Sequence, residues 1–424
     1  MKFIYKLLSL SLAIACLSGC SAANTEIASS SAATATVTPT TDSTEVSAYN
    51  NVFTSAGDGL YVTTDSGIYE LQTVFPDSAN IFYTDANTKE RIFLCANPNC
   101  THADESCPSY IATPSAMFPP MLLRVGDQLL VVFTEATDSS NPHGMLMNMD
   151  GSNRRTVFEL ASNQYMQGGF CTSGNDLYFD LYEINDSGNV TYQLWYVSFE
   201  NGTSEKLMDL GSDSDHYSLC DGANNELCFN HVSSDGISYC MYNPQSKTIS
   251  DPFFVDSSVS GNSMIQDGYL FVLDEQASSV QRIRLSDKEQ ASASFTVKEG
   301  FGAPSMRYLF DGNLMITEAQ TTASDIPTDG SYGVCSYILD FGTRNCTEFT
   351  LQTPYNNRPV YVLTTIGDAC YVATDYKTYT PTSVSEDGTV SNFDYVANIY
   401  AFITKQDYIN SNQNGYSMVK DAFE

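Results

Sequence analysis

Three thiols and an imidazole fall within thirteen residues of one another: Cys95, Cys100, His102 and Cys107, in the stretch LCANPNCTHADESCPSY from Leu94 to Tyr110. Thiolate sulfur and imidazole nitrogen are ligands of structural zinc, and three cysteines with one histidine make an accepted tetrahedral set. Little chain entropy is lost in closing so short a loop. The spacing C-x4-C-x-H-x4-C nevertheless lacks the two-residue gap common in zinc ribbons. A disulfide between two of the cysteines, favoured in an exported protein, competes with the metal. Reduced cysteines beside a solvated histidine are the third reading. If a metal is held, four protein ligands leave no position for a reactive water, so its part is structural rather than catalytic.

Other chemistry is hard to find in the sequence. The four histidines are His102, His143, His216 and His231, and none belongs to an H-E-x-x-H pair. There is no G-x-S-x-G elbow and no phosphate-cradling glycine loop. Asp213, Asp215 and His216 in SDSDHY read as a solvated turn. Paired carboxylates stay open as a catalytic device, since 50 acids always supply pairs. Cysteines inside apolar strands read as buried thiols. Cys220 with Cys228, and Cys335 with Cys346, are spaced to face each other across hairpins. The tyrosine-rich loop at 375–395 lies outside what the strands need. Its Tyr376, Tyr379, Asp387, Phe393 and Tyr395 are candidates for a contact surface, because loops on a rigid scaffold often carry function.

These residues must be positioned by strands. A turn followed by an apolar strand recurs seven times: GDGLYVTT, VGDQLLVVF, SGNDLYFDL, ANNELCFN, QDGYLFVL, FDGNLMIT and IGDACYVAT. The anchors Leu129, Leu177, Leu227, Leu270 and Leu314 stand about 43 to 50 residues apart, a repeat length typical of propeller blades. Each copy fits four short strands, called from alternation, aromatic content and Gly/Asn/Asp turns. The prediction is an all-β chain, a β-propeller of seven four-stranded blades, with six or eight as alternatives. It occupies 49–424, with the Cys/His insertion at 95–110.

The N-terminus reads as an address. Lys2 and Lys6 precede an apolar run from Leu7 to Leu17, which is too short to cross a bilayer. Residues 1–19 therefore read as a signal peptide. Leu17-Ser18-Gly19-Cys20 resembles a bacterial lipobox, which implies cleavage before Cys20 and a diacylglycerol on its thiol. Residues 20–48, rich in Ser, Thr and Ala, cannot bury enough apolar area to order themselves and read as a flexible linker. Expected localisation is the outer leaflet of the cell membrane, through the N-terminal lipid. Lys and Arg number 19, and the net charge is −31, so nucleic acid is not an expected partner.

LMNMDGSNRRTVFEL, Leu146 to Leu160, resembles the last two strands of a TolB-type propeller repeat, with Asp-Gly-Ser-Asn as the hairpin. The whole head is similar to β-propeller lipoproteins of Gram-positive gut Clostridia, and that resemblance implies a comparable Cys/His cluster after the first blade. That resemblance implies fold and address and favours zinc, but it implies no activity. The resulting expectation is a surface-anchored, non-enzymatic binding or scaffolding module for a protein, a peptide or a cell-wall glycan. An extracytoplasmic carbohydrate-active enzyme using channel carboxylates is the alternative, and an envelope assembly factor a further one.

Overall fold

The computed structural model describes residues 50–51, 60–75, 78–113, 118–256, 262–320, 333–379, 382–384, 390–392 and 395–421. Almost every element is a strand. After β1 (Asn50–Asn51) come seven four-stranded antiparallel modules in chain order. Module one is β2 (Tyr61–Thr63), β3 (Gly67–Phe75), β4 (Ser78–Asp85) and β5 (Glu90–Phe93), and β6 (Tyr110–Ala112) also pairs with β4. Module two is β7 (Met121–Val125), β8 (Gln128–Phe133), β9 (His143–Asn148) and β10 (Arg155–Glu159). Module three is β11 (Gln164–Ser173), β12 (Asp176–Ile184), β13 (Val190–Ser198) and β14 (Thr203–Ser212). Module four is β15 (Asp215–Ala223), β16 (Glu226–Ser233), β17 (Gly236–Asn243) and β18 (Thr248–Ile249), with β19 (Phe254–Asp256) also on β17.

Module five is β20 (Ser263–Gln266), β21 (Tyr269–Asp274), β22 (Ser279–Arg284) and β23 (Gln290–Ser294). Module six is β24 (Phe301–Tyr308), β25 (Leu314–Gln320), β26 (Val334–Asp340) and β27 (Asn345–Phe349). Module seven starts with β28 (Val362–Ile366) and β29 (Ala369–Tyr379). A small hairpin, β30 (Thr382–Val384) with β31 (Val390–Asn392), comes next in the chain. β32 (Tyr395–Thr404) and β33 (Ser417–Met418) complete module seven, with the short helix α1 (Lys405–Ile409) between them. Modules three and four join into one sheet through β14 and β15, and β1 pairs with β11. The chain closes with β34 (Lys420–Asp421), which runs parallel to β5. Residues 376–397, which hold β30 and β31, belong to a separate compact unit from residues 34–375 and 398–424.

The turns explain the registers. Asn224 and Asn225 both have positive φ, as do Asp267 and Gly268, the requirement of the two-residue type I′ hairpin. These are the NN and DG pairs of the repeated sequence motif. Strand chemistry follows from burial on both faces. In QLLVVF, Leu129 and Val131 pack toward module one, while Leu130 and Val132 pack toward module three. A strand sandwiched on both sides reads as a continuous apolar run, not as an alternation.

The core is divided into seven clusters, each shared by two modules. They join modules one and two, two and three, three and four, four and five, five and six, and six and seven. The last joins Tyr371, Tyr400 and Phe402 of module seven to Tyr61 and Ile68 of module one. Side chains add to that seam: Thr63 and Thr364 hydroxyls lie 2.9 Å apart. Arg91, fully buried, donates to Glu70 at 2.8 Å, to Gln72 at 2.7 Å and to Asp421 at 3.2 Å.

The paired cysteines do not face each other. Cys346 is opposite Leu339, whereas Cys335 is opposite Glu318. Cys220 sits in a bulge between Leu219 and Asp221, so it is Asp221 that stands across from Cys228. None of the ten described cysteines is in a disulfide.

Candidate metal centre and a pocket beside a buried acid

The Cys/His segment is an excursion from one strand edge. β4 is paired along one half by β5, with Phe82 opposite Phe93, and along the other by β6, with Asn80 opposite Tyr110. Ile81 holds the junction: its carbonyl accepts from the Leu94 amide and its amide donates to Ser109 O. The chain therefore leaves β4 at Leu94, loops out, and returns to it at Ser109. Cys95 marks the exit and Cys107 the return.

Within the loop the four side chains converge. The sulfurs of Cys95, Cys100 and Cys107 and a ring nitrogen of His102 all lie within 4.8 Å of one another. His102 Nδ1 is 3.3 Å from Cys107 Sγ, and its ring stacks on Phe93 at 3.9 Å, which fixes the plane of the imidazole. His102 has φ 56, a left-handed conformation uncommon for a residue with a side chain. Behind the ligands, Ser109 Oγ is 3.1 Å from Cys107 Sγ and donates to Asn80 Oδ1 at 2.8 Å, tying the sulfur to β4.

The donor set fits a tetrahedral metal. Ligand sulfurs on a zinc ion stand roughly 3.8 Å apart, given Zn–S bonds of about 2.3 Å, so only small movements close the site. The electrostatics point the same way. Burial and the neighbouring sulfurs push the Cys95 thiol up to about 12, and burial raises Cys100 as well. Burial also disfavours charge on Cys107, but hydrogen bonds from Ser109, Cys100 and Cys95 outweigh it and hold that thiol below its ordinary value. Burial lowers the His102 pKa and so favours the neutral ring, the state in which it can ligate. Three sulfurs this close together cannot all ionise without a cation among them.

The neighbouring module clamps the loop. Arg154 donates to the carbonyls of Tyr110, at 2.6 Å, and Pro108. Gly151, at φ +79, lies where a Cβ would collide with the Pro108 carbonyl. The DGSN hairpin that carries both residues thus fits against the return limb of the loop.

The other sequence candidates are dispersed. Cys20, Asp387 and Phe393 lie outside the described residues. Tyr376 is half-buried on β29, Tyr379 ends that strand, and Tyr395 begins β32. His216 stacks on Tyr192 at 3.9 Å, and His231 pairs with Asp215 at 2.6 Å, so the SDSDHY turn makes side-chain contacts of its own.

A second site carried no sequence signal. A pocket of about 340 Å³ is lined by the first strands of modules three, four and five and by β16 and β17, with Gln167, Gly168, Gly169, Cys220, Asn230 and Ser263 among its walls. The register of β11 slips between Met166 and Phe170, and Gly168, at φ 101, stands in that bulge. Directly behind Gly169 is Asp180, with 1% of its surface exposed. A Cβ on Gly169 would come within 2.8 Å of Asp180 Oδ1 and would collide with the Leu219 carbonyl. Gly169 of the pocket wall is thus packed closely against the acid, which does not itself line the pocket. Asp180 Oδ2 accepts from the Leu219 amide at 3.1 Å, while Oδ1 has no hydrogen-bond partner.

Burial pushes the Asp180 carboxyl up to about 7, only partly offset by backbone amides. The unfolded chain releases this proton near pH 4, whereas the folded chain keeps it to about pH 7. The contribution of Asp180 to stability is therefore fully present below pH 4 and is lost as pH rises through 7. Asp180→Asn should stabilise the protein relative to wild type at pH 8 but not at pH 4, as thermal melts at the two values will read. An equal effect at both would mean that folding does not raise the Asp180 pKa.

No protein-family model and no curated protein matches the chain. Solved structures with a similar fold exist at low identity. The puromycin-hydrolyzing peptidase of Mycobacterium tuberculosis is 9% identical, with a TM-score of 0.48 over 89% of this chain and 56% of that one. An oligogalacturonate lyase from Vibrio parahaemolyticus is 10% identical, with a TM-score of 0.37 over 83% and 89%. The tricorn protease is 10% identical, with a TM-score of 0.32 over 81% of this chain and 35% of that one. The chain thus spans about half the length of the peptidase and about a third of the protease. The fold is all-β and distantly similar to these proteins. The expectation of a non-enzymatic binding or scaffolding module, with an enzyme less favoured, is not carried forward: these neighbours are named as a peptidase, a lyase and a protease, and at this identity the likeness shows the fold and assigns no activity.

Proposed function

We propose that this chain is an extracytoplasmic carbohydrate-active enzyme built on a seven-bladed β-propeller and carried on the outer membrane leaflet by a lipidated Cys20. The cycle of seven shared cores, the last one joining module seven to module one, supports ring closure. The first strands of the modules then line the central channel, and the pocket opens from it. The Leu146–Leu160 hairpin would be the most TolB-like of the blades. Zinc at Cys95, Cys100, His102 and Cys107 would staple the outer edge of the first blade and take no part in the reaction.

The observation that carries the enzymatic reading is Asp180, a buried carboxyl that keeps its proton near neutral pH behind a glycine bulge in the pocket wall. Bulges are over-represented next to active sites. Glycoside cleavage needs one protonated carboxyl and one carboxylate. Asp180 would donate its proton to the glycosidic oxygen as the bond from the anomeric carbon to that oxygen breaks. Asp221, next in the chain to Cys220 of the pocket, takes the complementary role, receiving the proton of the water that attacks the anomeric carbon. Its Oδ2 accepts from the Gly268 amide at 2.8 Å and its Oδ1 from the Gly222 amide at 2.7 Å, so its orientation is fixed. Asp180 would reach substrate only if the Gly168–Gly169 backbone moves aside.

The test is release of reducing ends from a panel of oligosaccharides by the purified head. Asp180→Asn should lower turnover by about 10²–10⁴-fold, the usual worth of a general acid, while leaving the fold intact. Turnover should also fall above pH 7 as the acid loses its proton. A head that cleaves no glycan, or an Asp180→Asn variant with undiminished turnover, rejects the proposal.

A further inference from the structure

Among the described residues the pocket wall contains no charged side chain. Its polar groups are the amides of Gln167, Asn230 and Gln266, the Ser263 hydroxyl and the Tyr239 phenol. Asn230 Oδ1 is buried and has no hydrogen-bond partner, which is costly unless a ligand donor reaches it. Tyr239 Oη and Ser263 Oγ lie 2.6 Å apart and leave acceptor capacity toward the cavity. Gln167 links the pocket to an aromatic row on module three. Its side chain hydrogen-bonds the Tyr192 phenol, and its Oε1 accepts from Ser218 Oγ at 3.5 Å. In that row Tyr165 stacks on Tyr182 at 5.1 Å, and Tyr192 stacks on His216 at 3.9 Å. Tyr165 and Tyr182 are half-buried, so part of each ring meets solvent.

Amides and hydroxyls on one side and tyrosine rings on the other suit a ligand with many hydroxyl groups and apolar ring faces. Charge narrows it further. Among the described residues no lysine or arginine lines the pocket, and the chain carries a net charge of −31. An anionic sugar would find no compensating cation there. We infer that the pocket binds a neutral oligosaccharide and discriminates against uronic acids, with Asn230 and Gln167 as its specificity-determining residues and Tyr165 and Tyr182 as the adjoining platform.

This deepens the proposed function but can be tested apart from it, because binding needs no turnover. Calorimetric titration of the Asp180→Asn head would use chitotetraose and cellotetraose as neutral probes and tetragalacturonate as the acidic one. At least one neutral tetrasaccharide should bind at least tenfold more tightly than the galacturonate. Asn230→Leu, or Gln167→Ala as a variant less exposed to folding defects, should weaken it tenfold or more at an unchanged melting temperature. Tetragalacturonate binding as tightly as the neutral probes overturns the inference, as does neutral binding indifferent to both variants, or no binding at all. Binding without any cleavage by wild type would leave this inference standing and remove the enzymatic proposal. Cleavage of galacturonate would do the reverse.

Discussion

Arg91→Ala should destabilise the fold by about 3–5 kcal/mol, the usual cost of stranding one partner of a buried ion pair. On general scaling for a chain of this size, that is a melting point roughly 5 °C lower. The guanidinium is 1% exposed and reaches three side chains. Its Nε and one terminal nitrogen clamp Glu70 Oε2 at 3.0 and 2.8 Å, while the other meets Asp421 on the closing strand. Burial opposes the charge, but Glu70, Tyr400 and Asp421 outweigh it and hold the group above its ordinary pKa. The ring of Phe82 lies 3.8 Å from the guanidinium carbon and completes the cage. Removing Arg91 leaves Glu70 buried with only the hydroxyls of Tyr400, at 2.5 Å, and Tyr61, at 3.4 Å, to satisfy it. Because Asp421 and Tyr400 come from the end of the chain, the loss should also free the C-terminal strand. Hydrogen exchange at Lys420 and Asp421 should rise with it. Arg91→Met combined with Glu70→Leu should recover part of the loss, since an apolar pair of similar volume is often no worse than the ions. A single variant that costs less than about 1 kcal/mol would mean that the seam is held by its aromatic cluster alone.

Much of this architecture could be read in the residues before the structure. The turn motifs with Gly126, Asn224–Asn225 and Asp267–Gly268 mark the first hairpin of their modules because few residues tolerate their φ values. The leucines that anchor the repeat occupy the buried second strands. Cys95, Cys100, His102 and Cys107 were legible because metal ligands close in sequence need no long-range contact to meet. What escaped depends on chain folded from elsewhere. Nothing in ANPNC and SCPSY says that the two limbs return to one strand, β4. The bulge at Cys220 offset a cysteine pair that looked aligned by spacing. The α1 helix is one turn long and stands by tertiary contact: Thr404 caps it, and fully buried Tyr408 donates to Val360 O at 2.7 Å. Asp180 is one acid among 50 in the sequence, and only the glycine bulge of a neighbouring strand singles it out.

The head purified under reducing conditions should contain about one equivalent of zinc, and Cys107→Ser should reduce it to a small fraction of that. The stability loss should be on the order of 3 kcal/mol or more, since binding free energy at a structural site is also folding free energy. Cys107 is the ligand to choose: it is 1% exposed, touches His102, and through Ser109 is tied to Asn80 of β4. Its loss should release the return limb of the loop, so β6 should exchange its amides faster and Arg154 should lose the Pro108 and Tyr110 carbonyls that it binds. His102→Ala should act in the same direction but more weakly, because three sulfurs can still hold the ion while the Phe93 stack and the left-handed backbone at 102 are no longer constrained. Native mass spectrometry separates this from crosslinking. A head without metal and lighter by two hydrogens would show that a disulfide, not zinc, closes the loop. Glycan turnover should survive chelation at temperatures where the fold persists, because the cluster lies on the β4 edge of module one, whereas the pocket is built by modules three to five. Loss of turnover on chelation without unfolding would instead place the metal in the reaction.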